Sequence, residues 1–365
     1  MILPVSEREF LADYWQKKPL FCPGALPNFR DPISPEVLAG LAMEAPIRSR
    51  MVWQHDGIWH QQEGPFSASA FQRIGPWTLL VQGVDHWDAR VAGLRDHLPW
   101  IPRWRFDDVM VSFATDGAGV GPHYDQYDVF LLQGSGRREW RIGPGCDWET
   151  PQLNENGLKL IPPFDPTDTV ILQPGDVLYL PPGIAHWGVA IGDCMTYSLG
   201  FRAPPVADLI ARRTDAVLER LVHDVLLEDR HTAIELARPG EITAAHITNA
   251  RQAASTALDA VDTGIWFGEL VTEPHEEPDH ANAPLPPQTD ILRLSPSARV
   301  AWIVRAEHID VFVNGSHVEA PLAGLEPLIA LCGGGCVSSA LLNEVAEPLY
   351  DVLLEHQVLT DEEEK

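Results

Sequence analysis

Gly117-Ala-Gly-Val-Gly-Pro-His123-Tyr-Asp125-Gln-Tyr-Asp128-Val-Phe130 is the stretch on which the fold turns. It is a Gly-rich turn between two apolar runs with strand character, Val109–Phe113 and Tyr127–Gln133. In an extended segment residues i and i+2 share a face, so His123 and Asp125 can converge on one ion. Outward from this turn, short apolar runs alternate with Gly, Pro and Asp from Asp107 to about Phe201: Glu139–Ile142, Asp168–Leu172, Asp176–Leu180 and Met195–Gly200. Regularly spaced short strands predict a β-sandwich or barrel.

The segments on either side read differently. Before residue 107, Ser6 with Glu9 and Ser34 with Pro35 open short helices between Trp- and Pro-rich connections. After Pro204-Pro205, Leu209, Ile210, Val217, Leu218, Leu221, Val222, Val225 and Leu226 recur at helical spacing, and a second helix spans about Glu241–Leu258. Two or three helices make a poor core by themselves, which points to a homodimer interface. Residues 272–290, rich in proline and acidic residues, form a linker. From residue 291 a hairpin signal at Asn314-Gly315 and helices near Leu325–Leu331 and Ser338–Leu354 suggest a winged-helix-like end. The predicted domains are therefore residues 1–205, 206–271, the linker and 291–365.

Composition narrows the partners. The 365 residues carry 26 Lys+Arg against 52 Asp+Glu, a formal charge of −26. A surface this acidic excludes binding through phosphates and would draw in a basic protein, so no nucleic-acid partner is expected. The winged-helix-like end, with four basic and twelve acidic residues, is no exception. Five cysteines are too sparse for a disulfide framework, and Cys332-Gly-Gly-Gly-Cys336 has no second pair to complete a zinc site. The start shows no signal-peptide pattern and no run reaches the roughly 18 apolar residues of a membrane span. The protein reads as cytoplasmic.

A second segment supplies a third ligand. Pro174-Gly-Asp176-Val-Leu-Tyr-Leu-Pro181-Pro-Gly183-Ile-Ala-His186 resembles the second signature of the cupin superfamily. Gly117 to Asp125 resembles the first, with Asp in place of its second His. The usual downstream Glu is absent, and Ala190 stands where cupins often have Asn. What is left is two imidazoles and one carboxylate, His123, Asp125 and His186, a set suited to non-heme Fe(II) and O2. Such iron needs an electron donor, and 2-oxoglutarate is the common one. In Arg137-Arg-Glu-Trp-Arg-Ile142, alternation puts Arg138 on the apolar face with Trp140 and Ile142. An Arg there needs an anion, and its fork suits a carboxylate. Ser112, on the preceding strand, could add a hydroxyl.

With these residues, the chain resembles the bacterial JmjC ribosomal oxygenases, the arginine hydroxylases of a large-subunit ribosomal protein. The matching stretches are Trp15-Gln-Lys-Lys-Pro19, Asp31-Pro-Ile-Ser-Pro-Glu36, Gly119–Asp128, Gln133–Ile142, Pro174–His186 and Gly200-Phe-Arg-Ala-Pro204; Trp266-Phe-Gly-Glu269 and Val311–Gly315 match more weakly. The resemblance implies an α+β chain: a JmjC double-stranded β-helix, a helical dimerisation region and a winged-helix end. It implies Fe(II) on His123, Asp125 and His186, and the distal carboxylate of 2-oxoglutarate on Arg138 and Ser112. It also implies Asp116 at the site mouth, pairing with a substrate guanidinium. The reaction would be arginine hydroxylation on a 50S protein with release of succinate and CO2. A histidine hydroxylase or lysine demethylase on the same scaffold, and a non-catalytic cupin-type binding protein, remain open as alternatives.

Overall fold

A computed structural model of the chain describes residues 1–221, 226–228, 238–260, 263–274, 287 and 289–361. It divides into two compact units, one comprising Met1–Ala203 with Leu294–Ser297 and Leu331–Gly335, the other the remainder.

In the first unit β1 (Leu20–Cys22), β2 (Ser49–His55), β3 (Ile58–Glu63), β4 (Trp77–Val81), β5 (Phe106–Ala114), β6 (Asp128–Gln133), β11 (Val177–Leu180) and β13 (Cys194–Phe201) make one sheet. Its order is β1-β11-β6-β13-β5-β4-β2-β3. A smaller sheet, β10-β7-β12, contains β7 (Arg137–Gly145), β10 (Asp168–Leu172) and β12 (Ile184–Ile191); the hairpin β8 (Leu153–Glu155)–β9 (Leu158–Leu160) stands apart. The turn quoted at the outset runs along the free edge of β12, with bonds from Gly117 N to Ala190 O and from His123 N to His186 O.

Strand alternation sorts the core into two layers. Val129, Leu131, Leu178 and Leu180 of the large sheet pack on Trp140, Ile142 and Leu172 of the small one, closing a double-stranded β-helix. The other face of the large sheet, including Phe130, Tyr179, Tyr197 and Leu199, is covered by N-terminal residues such as Phe10 and Leu38. Those come from the helices opened by Ser6 and Ser34: α1 (Glu7–Glu9) with the wide turn after it, and α2 (Pro35–Leu41).

One correction concerns the first hundred residues. The sequence reads there as helices and connections, yet residues 49–81 are three strands that widen the large sheet. Asp56-Gly57, with φ of 50° and 79°, is the tight turn joining β2 to β3. It is a hairpin signal overlooked among the tryptophans.

In the second unit, α4 (Val206–Leu218), α5 (Ala244–Asp259) and α6 (Ile265–Thr272) follow α3 (Ala89–Ala92) of the first. Val222 and Val225 of the predicted stripe, and most of the predicted linker, lie outside the described residues. After β14 (Ile291–Leu294) come β15 (Val300–Val304), β16 (His308–Val313) and β17 (Ser316–Pro321), which form an antiparallel meander. Its second turn is Asn314-Gly315, both residues left-handed. α7 (Leu325–Cys332) and α8 (Ser339–Glu355) follow, the latter packed on β17. No helix among the described residues is long and apolar enough to cross a membrane.

Candidate active site

His123, Asp125 and His186 meet at the open edge of the small sheet, with all ligand atoms within 4.8 Å of one another. The imidazole centroids are 4.3 Å apart, and His186 Nε2 lies 3.5 Å from the Asp125 carboxylate. His123 Nδ1 is 3.0 Å from Gly121 O, and His186 Nδ1 is 2.9 Å from Ile184 O. A carbonyl only accepts, so each Nδ1 carries the proton and each Nε2 keeps its lone pair for a metal. Burial, together with the neighbouring His123, pushes His186 down to about 4, although Asp125 pulls the other way. His186 is thus neutral at ordinary pH, as a ligand must be. Two imidazoles and one carboxylate with open positions fit Fe(II).

The β7–β12 register continues inward from this point. His186 faces Ile142, Gly188 faces Trp140, and Ala190 faces Arg138. Ala190 lies four positions beyond His186, about 13 Å along the strand. Trp140 bridges the interval, its ring 5.9 Å from His186 and 5.7 Å from the Arg138 guanidinium. Arg138 is 4% exposed, and its Nε and Nη2 have no hydrogen-bond partner. An uncompensated buried guanidinium is costly, and its free donors suit an anion. Arg138, Trp140 and Ile142 share one face by strand alternation, as expected from the sequence, and all three are buried.

Ser112 is buried on the large sheet's inner face and is the cross-strand partner of Thr196, itself paired with Gln133. Thr196 Oγ1 and Gln133 Oε1 are also buried without partners. Sequence reasoning missed both, because only the cross-strand register brings them beside Ser112. Asp116 stands apart from the triad, in the exposed loop before the ligand strand. One of its carboxylate oxygens accepts from Gly192 N at 2.6 Å.

Two other features are separate from this chemistry. A pocket of about 310 Å³ lies on the outer side of β12, between Trp53, Trp59, Arg141 and Trp187, on the face opposite His186. In the second unit His308, Asp310 and Glu319 also converge. There, however, Arg305 Nε at 2.6 Å and His317 Nε2 at 2.9 Å already occupy the two oxygens of Asp310.

Residues 93–209 match the model of the JmjC domain. Over 337 residues the chain is 37% identical to the ribosomal protein uL16 3-hydroxylase of Escherichia coli strain K12, covering 87% of each. The chain belongs to the JmjC-domain ribosomal oxygenases. This oxygenase is also 30% identical to a probable ribosomal oxygenase of Haemophilus influenzae, covering 98% of this chain and 93% of that one. Its fold superposes on the X-ray structure of E. coli YcfD with a TM-score of 0.82 at 33% identity, over 98% of both chains. It also superposes on YcfD in complex with cobalt and 2-oxoglutarate, with a TM-score of 0.79 at 32% identity and the same coverage. The expected enzyme class, a 2-oxoglutarate-dependent dioxygenase, is borne out.

Proposed function

We propose that this chain hydroxylates an arginine side chain of the large-subunit ribosomal protein uL16, at carbon 3, using Fe(II) and 2-oxoglutarate. The observation that carries the reading is the juxtaposition, along one strand ladder, of the His123–Asp125–His186 triad and an unpaired buried Arg138. The substrate assignment draws on the E. coli uL16 3-hydroxylase.

His123, Asp125 and His186 would hold the iron. Bound together, iron and 2-oxoglutarate supply the O2 chemistry, with 2-oxoglutarate leaving as succinate and CO2. Arg138, with its Nε and Nη2 unpartnered, would hold the distal carboxylate, and Ser112 would add a hydroxyl. Gly188 lets Trp140 and Arg138 lie close against β12: a Cβ there would come within 2.8 Å of the Trp140 ring and 3.0 Å of Arg138 Cδ. Trp140 and Ile142, both buried beside Arg138 and His186, would help exclude water from the bound cosubstrate. Asp116, exposed ahead of the ligand strand, is the carboxylate proposed for the substrate guanidinium. No side chain is needed as an acid or base.

The charge of −26 supports a basic protein partner and no direct nucleic-acid contact, and the cytoplasm is the proposed location. Val206, Ile210 and Ile247 on α4 and α5 are more than half exposed, which supports a homodimer through these helices. The meander β15–β17 with α7 and α8 is proposed to be a winged-helix-like protein-contact module. The domain limits read from the sequence stand as proposals beside the two units.

Incubating the protein with Fe(II), 2-oxoglutarate and uL16 tests the reading. The expected result is one added oxygen on a single arginine, with stoichiometric succinate. Addition to a histidine, loss of a methyl group from lysine, or no product at all would overturn it.

A further inference from the structure

The segment Gly145–Gln152 forms a short, cross-braced loop beside the metal triad. Cys146 N donates to Gly183 O, and Gly183 N donates to Asp125 O at 2.8 Å, so two successive backbone bonds join the loop to a ligand residue. Tyr124, between the two ligands of the first segment, donates its hydroxyl to Asp147 O at 3.0 Å and accepts from Gln152 Nε2 at 3.1 Å. Within the loop, Asp147 Oδ1 accepts from Glu149 N and from Thr150 Oγ1, and Asp147 N donates to Thr150 Oγ1. The apex of this braced turn is Trp148, 87% exposed.

That exposure needs an account. Of twelve tryptophans, Trp148 is the most exposed among the described residues; the next, Trp87, is 41% exposed. A large apolar ring left in water contributes nothing to the fold, and a well-braced backbone holds it in place without burying it. Indoles displayed this way are characteristic anchors of protein interfaces. The immediate neighbours, Asp147 and Glu149, are both acidic and exposed. An indole face between carboxylates attracts a guanidinium or ammonium group, and Trp is the strongest aromatic partner for one.

We propose that Trp148 is a substrate-docking residue that stacks on a basic side chain of the ribosomal protein flanking the hydroxylated residue, with Asp147 and Glu149 supplying the surrounding negative charge. This inference rests on the ribosomal-protein reading above. Its role is positioning: the bound segment would be gripped at the rim while the target residue enters beside the triad. The rigid link through Tyr124 sets the spacing between rim and metal.

The test uses the full-length enzyme and a peptide of about twenty residues spanning the uL16 target. Binding is measured with Mn(II) and an unreactive 2-oxoglutarate analogue, and turnover with Fe(II) and 2-oxoglutarate. Trp148→Ala should raise both peptide Kd and KM about tenfold, in the range of an exposed-to-desolvated cation–aromatic contact. The kcat at saturating peptide should stay within about twofold, and Trp148→Phe should recover most of the affinity. Replacing the flanking Lys and Arg residues of the peptide by Gln one at a time should identify one whose loss costs the same factor. With that peptide Trp148→Ala should add nothing further. Unchanged Kd and KM in Trp148→Ala would overturn the proposal. So would a fall in kcat at constant Kd, or additivity with every peptide, which would place an apolar side chain on the ring instead. If the wild-type enzyme neither binds nor hydroxylates the peptide, the ribosomal-protein reading falls and this inference with it.

Discussion

Ala190 lies directly opposite Arg138 in the β7–β12 ladder, and the guanidinium is buried there with its Nε and Nη2 unpartnered. A buried cation without a counterion weakens the apo protein, whereas the same cation is what an anionic cosubstrate requires. Arg138→Met should therefore raise the apo protein's stability by about 1–3 kcal/mol. The same substitution should raise the 2-oxoglutarate KM by well over tenfold. Denaturant melts and initial rates on one preparation check both signs. A variant that is less stable and still turns over normally would show that Arg138 has a protein partner.

Ala190→Leu tests the position opposite Arg138. Its added carbons would crowd the Arg138 side chain, so affinity for 2-oxoglutarate should fall at least tenfold while affinity for the metal should not change. Titration of the metal-loaded protein with 2-oxoglutarate, read by thermal shift, separates the two. An equal loss of metal affinity would place Ala190 in the metal site instead.

Either His123→Ala or His186→Ala should reduce Mn(II) or Co(II) affinity by more than about a hundredfold, since removing second-sphere partners alone costs up to that much. Chelation of the wild-type protein should lower its melting temperature to that of these variants. If the chelated and loaded proteins melt together, the triad binds no metal.

Asp108 offers a pH test at a residue outside the ligand set. Burial, reinforced by the Asp85 and Asp107 carboxylates, raises it from 3.8 to about 6 despite donors from Gly83 N and Gln82 Nε2. A carboxyl raised on folding binds more protons in the native state than in the unfolded state between these two values. Stability is therefore lost as pH climbs from about 4 to 6, and the penalty is complete above that window. Asp108→Asn should gain on the wild type by about 1.5 kcal/mol between pH 5 and pH 7.5. Paired urea titrations at the two pH values measure it, and a difference independent of pH would refute the shift.

Tyr179→Phe probes the support beneath the ligand turn. Tyr179 donates to Asp128 Oδ1 at 2.5 Å, Gln16 Nε2 donates to Oδ2 at 3.0 Å, and Gln16 N donates to the Tyr179 hydroxyl at 2.7 Å. Removing the hydroxyl leaves a buried carboxylate oxygen and an amide unpaired, at a cost of about 2–3 kcal/mol. Calorimetry checks the loss, and a change below 0.5 kcal/mol would show that water replaces the hydroxyl.

Much of the site was legible because it is local. His123 and Asp125 share a face by simple alternation, as do Arg138, Trp140 and Ile142. His186 sits in a recognisable turn. What stayed hidden depends on pairing between distant segments. Thr196 and Gln133 join Ser112 only through the β5–β13–β6 register. The braced loop under Trp148 needs the bond from Tyr124, 24 residues upstream. The strands at 49–81 were missed for another reason: their tryptophans hid an alternation that Asp56-Gly57 would have exposed.

Both metal-facing imidazoles take their orientation from a carbonyl two residues upstream, Gly121 for His123 and Ile184 for His186. Ligand angles are thus inherited from the main chain rather than from neighbouring side chains. Inserting or deleting one residue in either turn would therefore lose a ligand outright. The centre is thus intolerant of changes in length, which gives a practical rule for re-engineering its pocket: keep both turns at their present count, and keep Gly121, whose φ of 85° and close neighbours leave no room for a side chain.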